Sequence, residues 1–199
     1  MNKIVRIAPA VLALTLFAPT LASAATTSPA RHATSVTAKT AAKTKVVIKK
    51  VAFKGTYTGT MALLWSSTGV KATSVTGHGT GTYGANTMKG SGGGSAASTC
   101  NPFSGAGSLT GTSGLKLSIA TSSKTQACAV NSAAPTPVTV SGTAKILSGT
   151  GKFKGASGTL SFKGSFSIQS TTAGSTESDS FSATLSGTVS IRTVVAIKK

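Results

Sequence analysis

The chain has 199 residues, with 20 Lys and Arg against 2 Asp and Glu and a formal net charge of +18 at pH 7. Two acids, two histidines and two cysteines leave little from which multi-ligand metal sites or most acid–base active sites are assembled. The charge comes from this shortage of acids rather than from dense lysine. Most cations therefore have no anionic partner in the chain and attract polyanions within a Debye length of about 8–10 Å.

The first segment, residues 1–24, reads as a secretory signal. Lys3 and Arg6 precede an apolar stretch from Ile7 to Leu21, and Ala22-Ser23-Ala24 supplies the small-x-small pattern of a cleavage site. The stretch is short for a span of ~20 residues, and Pro9 and Pro19 interrupt it. Losing Lys3 and Arg6 would take the charge from +18 to +16. No later stretch is long or apolar enough to span a membrane, so the mature chain is expected to be secreted or associated with the cell envelope. Residues 25–44 are rich in Thr, Ala and Ser, carry Arg31, His32, Lys39 and Lys43, and show no apolar periodicity. They read as a flexible basic tail.

The pattern changes at residue 45, and residues 45–199 read as one all-β domain. Val46-Val47-Ile48 opens it. Phe53, Gly55, Tyr57, Gly59, Met61, Leu63 and Trp65 then share one parity, with Lys54, Thr56, Thr58 and Thr60 on the other. Period two is the mark of a strand with one buried side. The same alternation places Val75, Gly77, Gly79, Gly81 and Tyr83 on one face, and Leu115, Leu117 and Ile119 on another. Val138 and Val140 lead into Ala144 and Ile146. Leu160, Phe162, Gly164, Phe166 and Ile168 form a further strand, as do Phe181, Ala183, Leu185, Gly187, Val189 and Ile191. Gly90–Ser98, Ala133–Pro137 and Thr171–Ser180 read as connections, the last carrying both acids, Glu177 and Asp179. Glycine on the apolar face of so many strands favours a tightly curved single antiparallel β-barrel, with a β-sandwich as the alternative.

Cys100 and Cys128 are the only cysteines, 28 residues apart, in the exported part of the chain. A disulfide between them is expected. By restricting the unfolded state it would stabilise the fold by roughly 3–4 kcal/mol.

Ser148-Gly149-Thr150-Gly151-Lys152-Phe153-Lys154-Gly155-Ala156-Ser157-Gly158 resembles the GGTG-x-F-x-x-A-x-G signature of the dirigent and allene oxide cyclase barrels. Gly149, Thr150, Gly151, Phe153, Ala156 and Gly158 carry the likeness, and Ser148 stands where the signature has its first glycine. The resemblance implies an eight-stranded barrel in which the glycines allow a tight turn, Phe153 plugs the interior and Ala156 leaves room for a neighbouring backbone. It implies no activity here, because acids read as lying in a surface loop cannot line the barrel as in those proteins.

Candidate chemistry is sparse. Gly79-Thr80-Gly81-Thr82-Tyr83-Gly84 matches G-x-G-x-x-G, but neither a helix pattern nor an acid about 20 residues on follows it. Gly149–Lys152 is followed by Phe153 where a phosphate loop needs Ser or Thr. His78 is predicted to point outward and has no acid to orient it. Glu177 and Asp179 lie two residues apart, which does not resemble the geometry of a glycosidase pair. The expectation is therefore no catalytic residues, no cofactor and no metal site. Single-strand nucleic-acid binders expose aromatic stacking platforms among basic residues. Here Phe53, Tyr57, Phe162, Phe166 and Phe181 share parity with the aliphatics, so no specific nucleic acid is expected.

Two functions lead, beside a structural secreted protein that simply coats or spaces, which nothing in the sequence separates from the first. The first is a secreted, non-catalytic protein whose basic surface, including Lys49, Lys50, Lys54, Lys152, Lys154 and Lys163, associates with acidic envelope polymers or an anionic lipid surface. Lys39, Lys43, Lys45, Lys198 and Lys199 would add to it. The second is a barrel that binds or isomerises a small apolar ligand. An interior filled by Trp65, Phe153, Phe162 and Phe166 would leave no room for the second.

Overall fold

The computed structural model describes residues 43–197. The signal segment 1–24, the tail up to residue 42 and Lys198 and Lys199 lie outside the described residues.

The described chain is all β. Its strands are β1 (Thr44–Trp65), β2 (Gly69–Gly81), β3 (Thr87–Ser95), β4 (Cys100–Thr110), β5 (Lys116–Thr121), β6 (Gln126–Ala129), β7 (Thr136–Thr150), β8 (Ala156–Ile168) and β9 (Thr176–Ala196). Two 3-10 turns, Thr82–Gly84 and Gly151–Phe153, are the only helical pieces among the described residues. All pairings are antiparallel. The sheet order β3-β2-β1-β9-β8-β7-β5-β4 is closed by pairing of β3 with β4. The result is a barrel-like ring of eight strands. β5 and β6 both pair with β4 on one side and β7 on the other. They are two halves of one stave, broken at Ser122–Thr125.

The alternation of the sequence decides which side is in. Phe53, Tyr57, Leu63 and Trp65 of β1 are buried, while Lys54, Thr56, Thr58 and Thr60 between them are exposed. The outer wall is thus polar, the reverse of a membrane-crossing barrel with its apolar outer band. Leu117 and Ile119, Val138 and Val140, Leu160 and Ile168, and Phe181 to Ile191 all turn inward as their parity requires.

The two ends of the ring differ. One end is plugged by Phe53, Tyr57, Leu109, Leu117, Phe153 and Leu185, each fully buried or nearly so. Phe153 comes from the 3-10 turn between β7 and β8 and lies 5.9 Å from Phe53 and 5.6 Å from Tyr83 between ring centroids. Gly151 and Gly155 hold φ of +58° and +70° on either side of it, a backbone region that favours glycine. Tyr57 donates to Ala85 C=O at 2.7 Å, and burial pushes its hydroxyl up to about 12. A Cβ on Gly55 would sit 2.8 Å from the Tyr57 ring, so that glycine makes room for the plug. A smaller cluster of Leu63, Trp65, Ala72, Val138 and Ile168 stands at the other end.

Four sequence expectations are corrected. Gly90–Ser95 is not a loop but most of β3, paired to β2 and β4 along its length. Its backbone is flanked by two partners, which overrides the low strand preference of glycine. Thr136 and Pro137 already belong to β7. Tyr83 leaves the strand face. It sits in the 3-10 turn at φ +60° and is 38% exposed, because β2 ends at Gly81. Glu177 and Asp179 do not lie in a surface loop. β9 begins at Thr176, and both acids pair with β1, opposite Leu63 and Met61.

Candidate functional site

Between the plug and the far cluster lies a cavity of about 300 Å³, open at the unplugged end. That is at the lower end of the ~300–1,000 Å³ typical of small-molecule sites. Its lining is asymmetric, and the sequence explains why. One wall carries side chains: Trp65, Val138, Val140, Phe162, Phe166 and Phe181. The facing wall is formed by β3 and β4, where Gly90 pairs with Gly107 and Gly92 with Gly105. These cross-strand glycine pairs take inward positions between Met88 and Leu109 on one side and Phe103 on the other, and the Phe103 ring lies over Gly92. A Cβ on Gly90 would lie 2.9 Å from Ala106 C=O and one on Gly107 2.6 Å from Lys89 C=O. At Gly90, Gly105 and Gly107 this wall presents backbone to the cavity, next to the Phe103 ring. Of the four residues that would have to fill the interior to leave no room for a ligand, Phe153 is buried in the plug, whereas Trp65, Phe162 and Phe166 line the cavity.

The mouth is shaped by Ala96–Thr99, Asn131, Ser132 and Thr171. Asn101 is buried and pins the first of these segments. Its side-chain oxygen accepts from Ser98 N–H at 3.3 Å and from the Ser98 hydroxyl at 3.1 Å, and its amide donates to Ser98 C=O. The disulfide joins Cys100 to Cys128 as directly opposed residues of β4 and β6. It ties the short half-stave β6 to β4 beside the mouth, on the far side of β6 from the break at Ser122–Thr125.

No protein-family model, curated protein or solved structure matches the chain. The likeness of the Ser148–Gly158 turn to dirigent and allene oxide cyclase barrels rests on the motif alone.

The two acids take different parts at the mouth. Glu177 is saturated: Trp65 Nε1 donates to its Oε1 at 2.7 Å, and the N–H groups of Gln169 and Ser170 donate to its Oε2 at 2.8 and 3.2 Å. It fixes both the indole at the rim and the β8–β9 connection. Asp179 is 7% exposed, and its Oδ2 is buried without a hydrogen-bond partner. Burial, with the Glu177 carboxylate nearby as a smaller cause, holds its pKa above the usual carboxylate range. It does not line the cavity. It borders a shallow cleft between β8 and β9, beyond the last rung of their ladder at Phe166 and Phe181. Those two rings line both spaces and separate them.

His78 lies exposed on the outer face, paired with Thr58 and Thr87. Among the described residues, no three His, Cys, Asp or Glu side chains gather as metal ligands would. Gly79–Gly84 runs from β2 into a three-residue 3-10 turn and does not open an α-helix.

The predicted basic residues Lys49, Lys50, Lys54, Lys152, Lys154 and Lys163 are all exposed. They form no single pocket. Lys49 and Lys50 lie on opposite faces of β1, and Lys54 and Lys163 stand on the outer wall. Lys152 and Lys154 flank the plug turn, with the Lys152 ammonium 5.5 Å from the centroid of the Tyr83 ring. Five of the six lie at the plugged end or on the part of β1 that runs past it. Both acids lie at the open end. The molecule is thus polar along its axis. Alternation on the strands points to outward lysines in the sequence, but only the closure of the ring shows that five of these six share an end.

Proposed function

We propose that this chain is an exported, non-catalytic barrel that holds a small apolar ligand in its interior. The observation that carries the reading is the cavity of about 300 Å³, lined by apolar side chains and, on part of the β3–β4 wall, by glycine backbone. Apolar surface transferred out of water contributes roughly 25 cal/mol per Å², and a preformed site avoids part of the ordering cost of binding. Export is supported by the N-terminal pattern and agrees with the Cys100–Cys128 disulfide. No described helix is long and apolar enough to cross a membrane. Kinship with dirigent and allene oxide cyclase barrels is part of this proposal, supported by the Phe153 plug and its turn glycines.

The test is thermal unfolding with and without a panel of small hydrocarbons, terpenoids and aromatic compounds. A ligand that binds only the folded state raises the midpoint, equivalent to about 2.7 kcal/mol at a hundredfold excess over Kd. The reading predicts that some member of the panel does so with a concentration dependence that saturates. Uniformly unchanged midpoints would sink it.

A second reading is favoured by the polarity of the molecule. With Glu177 engaged at the rim and Asp179 buried, the outer wall presents lysines without acids. This supports electrostatic association with acidic envelope polymers or anionic surfaces. It predicts retention on isolated envelope material that weakens as salt is raised.

A further inference from the structure

The ring is complete only from Gly55, where β2 begins to pair with β1. The ladder between β8 and β9 stops at Ile191. Beyond these points β1 and β9 continue together, from Thr44 paired with Ala196 to Ile48 paired with Arg192. They form a two-stranded ribbon running past the plugged end. Lys43 C=O accepts from Ile197 N–H at 2.8 Å and extends it.

The ribbon is unlike the rest of the surface. Of ten exposed large hydrophobic residues among those described, six lie on it. On the face that continues the outer wall, Val46 stands opposite Val194, with Ile48 diagonal to it, and Ile48 and Val194 are 65% and 63% exposed. Elsewhere that wall carries mainly Lys, Thr and Ser, with Leu64 and Leu147 as separate exposed apolar residues. Cations surround the apolar group: Arg192 opposite Ile48, then Lys50 further along β1. Lys45 and Lys49 project from the other face, and Lys152 and Lys154 stand on the neighbouring turn. Neither acid is at this end.

Exposed apolar side chains ringed by cations fit a surface that is anionic at its face and apolar just beneath. We propose that the ribbon docks the protein on an anionic lipid bilayer, with Val46, Ile48 and Val194 entering the headgroup boundary. The barrel mouth, at the opposite end, then faces away from the membrane. A second copy of the chain is disfavoured as occupant, because pairing two ribbons would bring their cations together within a Debye length. An acidic polymer would satisfy the cations and leave the apolar group in water. The inference rests on the electrostatic reading of the surface and adds a requirement for the apolar residues.

The experiment is sedimentation with phosphatidylcholine vesicles, with and without phosphatidylglycerol, across a salt series. The double variant Ile48→Ser/Val194→Ser is compared with wild type. Both share the same N-terminal residues, so any binding from that segment is common to the two arms. Both sites are exposed and outside the barrel, and unchanged Trp65 fluorescence checks the fold. Wild type is expected to bind the anionic vesicles at least tenfold better than the neutral ones. The variant should lose tenfold or more on anionic vesicles, yet bind soluble polyglutamate as wild type does. A variant that binds anionic vesicles as wild type does overturns the ribbon and leaves the electrostatic reading standing. Wild type that binds neither anionic vesicles nor polyglutamate at low salt overturns both. A loss that tracks dissociation of a dimer in sedimentation velocity identifies a second copy as the occupant and overturns the lipid proposal.

Discussion

Two carboxylates show how much a single position decides in this chain. Glu177 gathers one indole and two backbone donors, so its loss leaves all three without their partner. Glu177→Ala should destabilise the fold by about 1–3 kcal/mol, measured by urea unfolding, and should shift Trp65 emission to the red. Asp179 behaves in the opposite sense. Its folded pKa is raised by burial and by Glu177, so the folded state holds the proton more tightly than the unfolded chain. Stability should fall as pH rises from the ordinary carboxylate range through the folded pKa, and level off above it. With only two acids in the chain, the effect is unusually easy to isolate. Asp179→Asn should flatten that slope and be more stable than wild type at pH 7. Equal slopes in urea midpoints taken across the acid range would refute this. The parity of these acids with Phe181, Ala183 and Leu185 was visible in the sequence. Charge and the surrounding Ser and Thr masked it, because an acid on an apolar parity is rare unless the protein gives it partners.

Elements were legible where side chains carry the period. β1, β8 and β9 alternate so regularly that their inner and outer faces can be read from Phe53, Leu160 and Phe181 onward. β3 was hidden for the reason that makes it useful. Its inward positions after Met88 are glycines, which give no alternation to read and no side chain to fill the barrel. β6 has four residues, too few for a pattern, and its role as half of a stave appears only from its partners. The turn at Ser148–Gly158 was legible through its glycines, and Phe153 of that turn is fully buried in the plug. Phe153→Ala should cost about 3–5 kcal/mol, seen as a lowered urea midpoint, since Phe53 and Tyr83 pack directly on it. A loss under 1 kcal/mol would mean that the plug does not depend on this ring.

At the scale of the whole molecule, closure of the sheet turns local patterns into an axis. Aromatic and aliphatic residues plug one end, the cavity occupies the middle, and a disulfide and a saturated carboxylate brace the mouth. The same axis separates a basic, ribbon-bearing pole from the end that holds both acids. None of this follows from alternation alone, because a sandwich would use the same strands with different neighbours. What closes the ring is pairing between β3 and β4 and between β1 and β9, and only the second of these joins segments distant in the sequence.

The central claim is that the cavity binds apolar ligands. Trp65, the one tryptophan, lines it and reports on it directly. The deciding measurement is a titration of wild type and Ala183→Leu with a ligand selected by thermal shift, followed by Trp65 fluorescence. Ala183 lines the cavity and is 3% exposed, so leucine there takes up part of the space a ligand needs. The account predicts saturable binding to wild type and at least tenfold weaker binding to a folded Ala183→Leu. Equal affinity for the two proteins would contradict it.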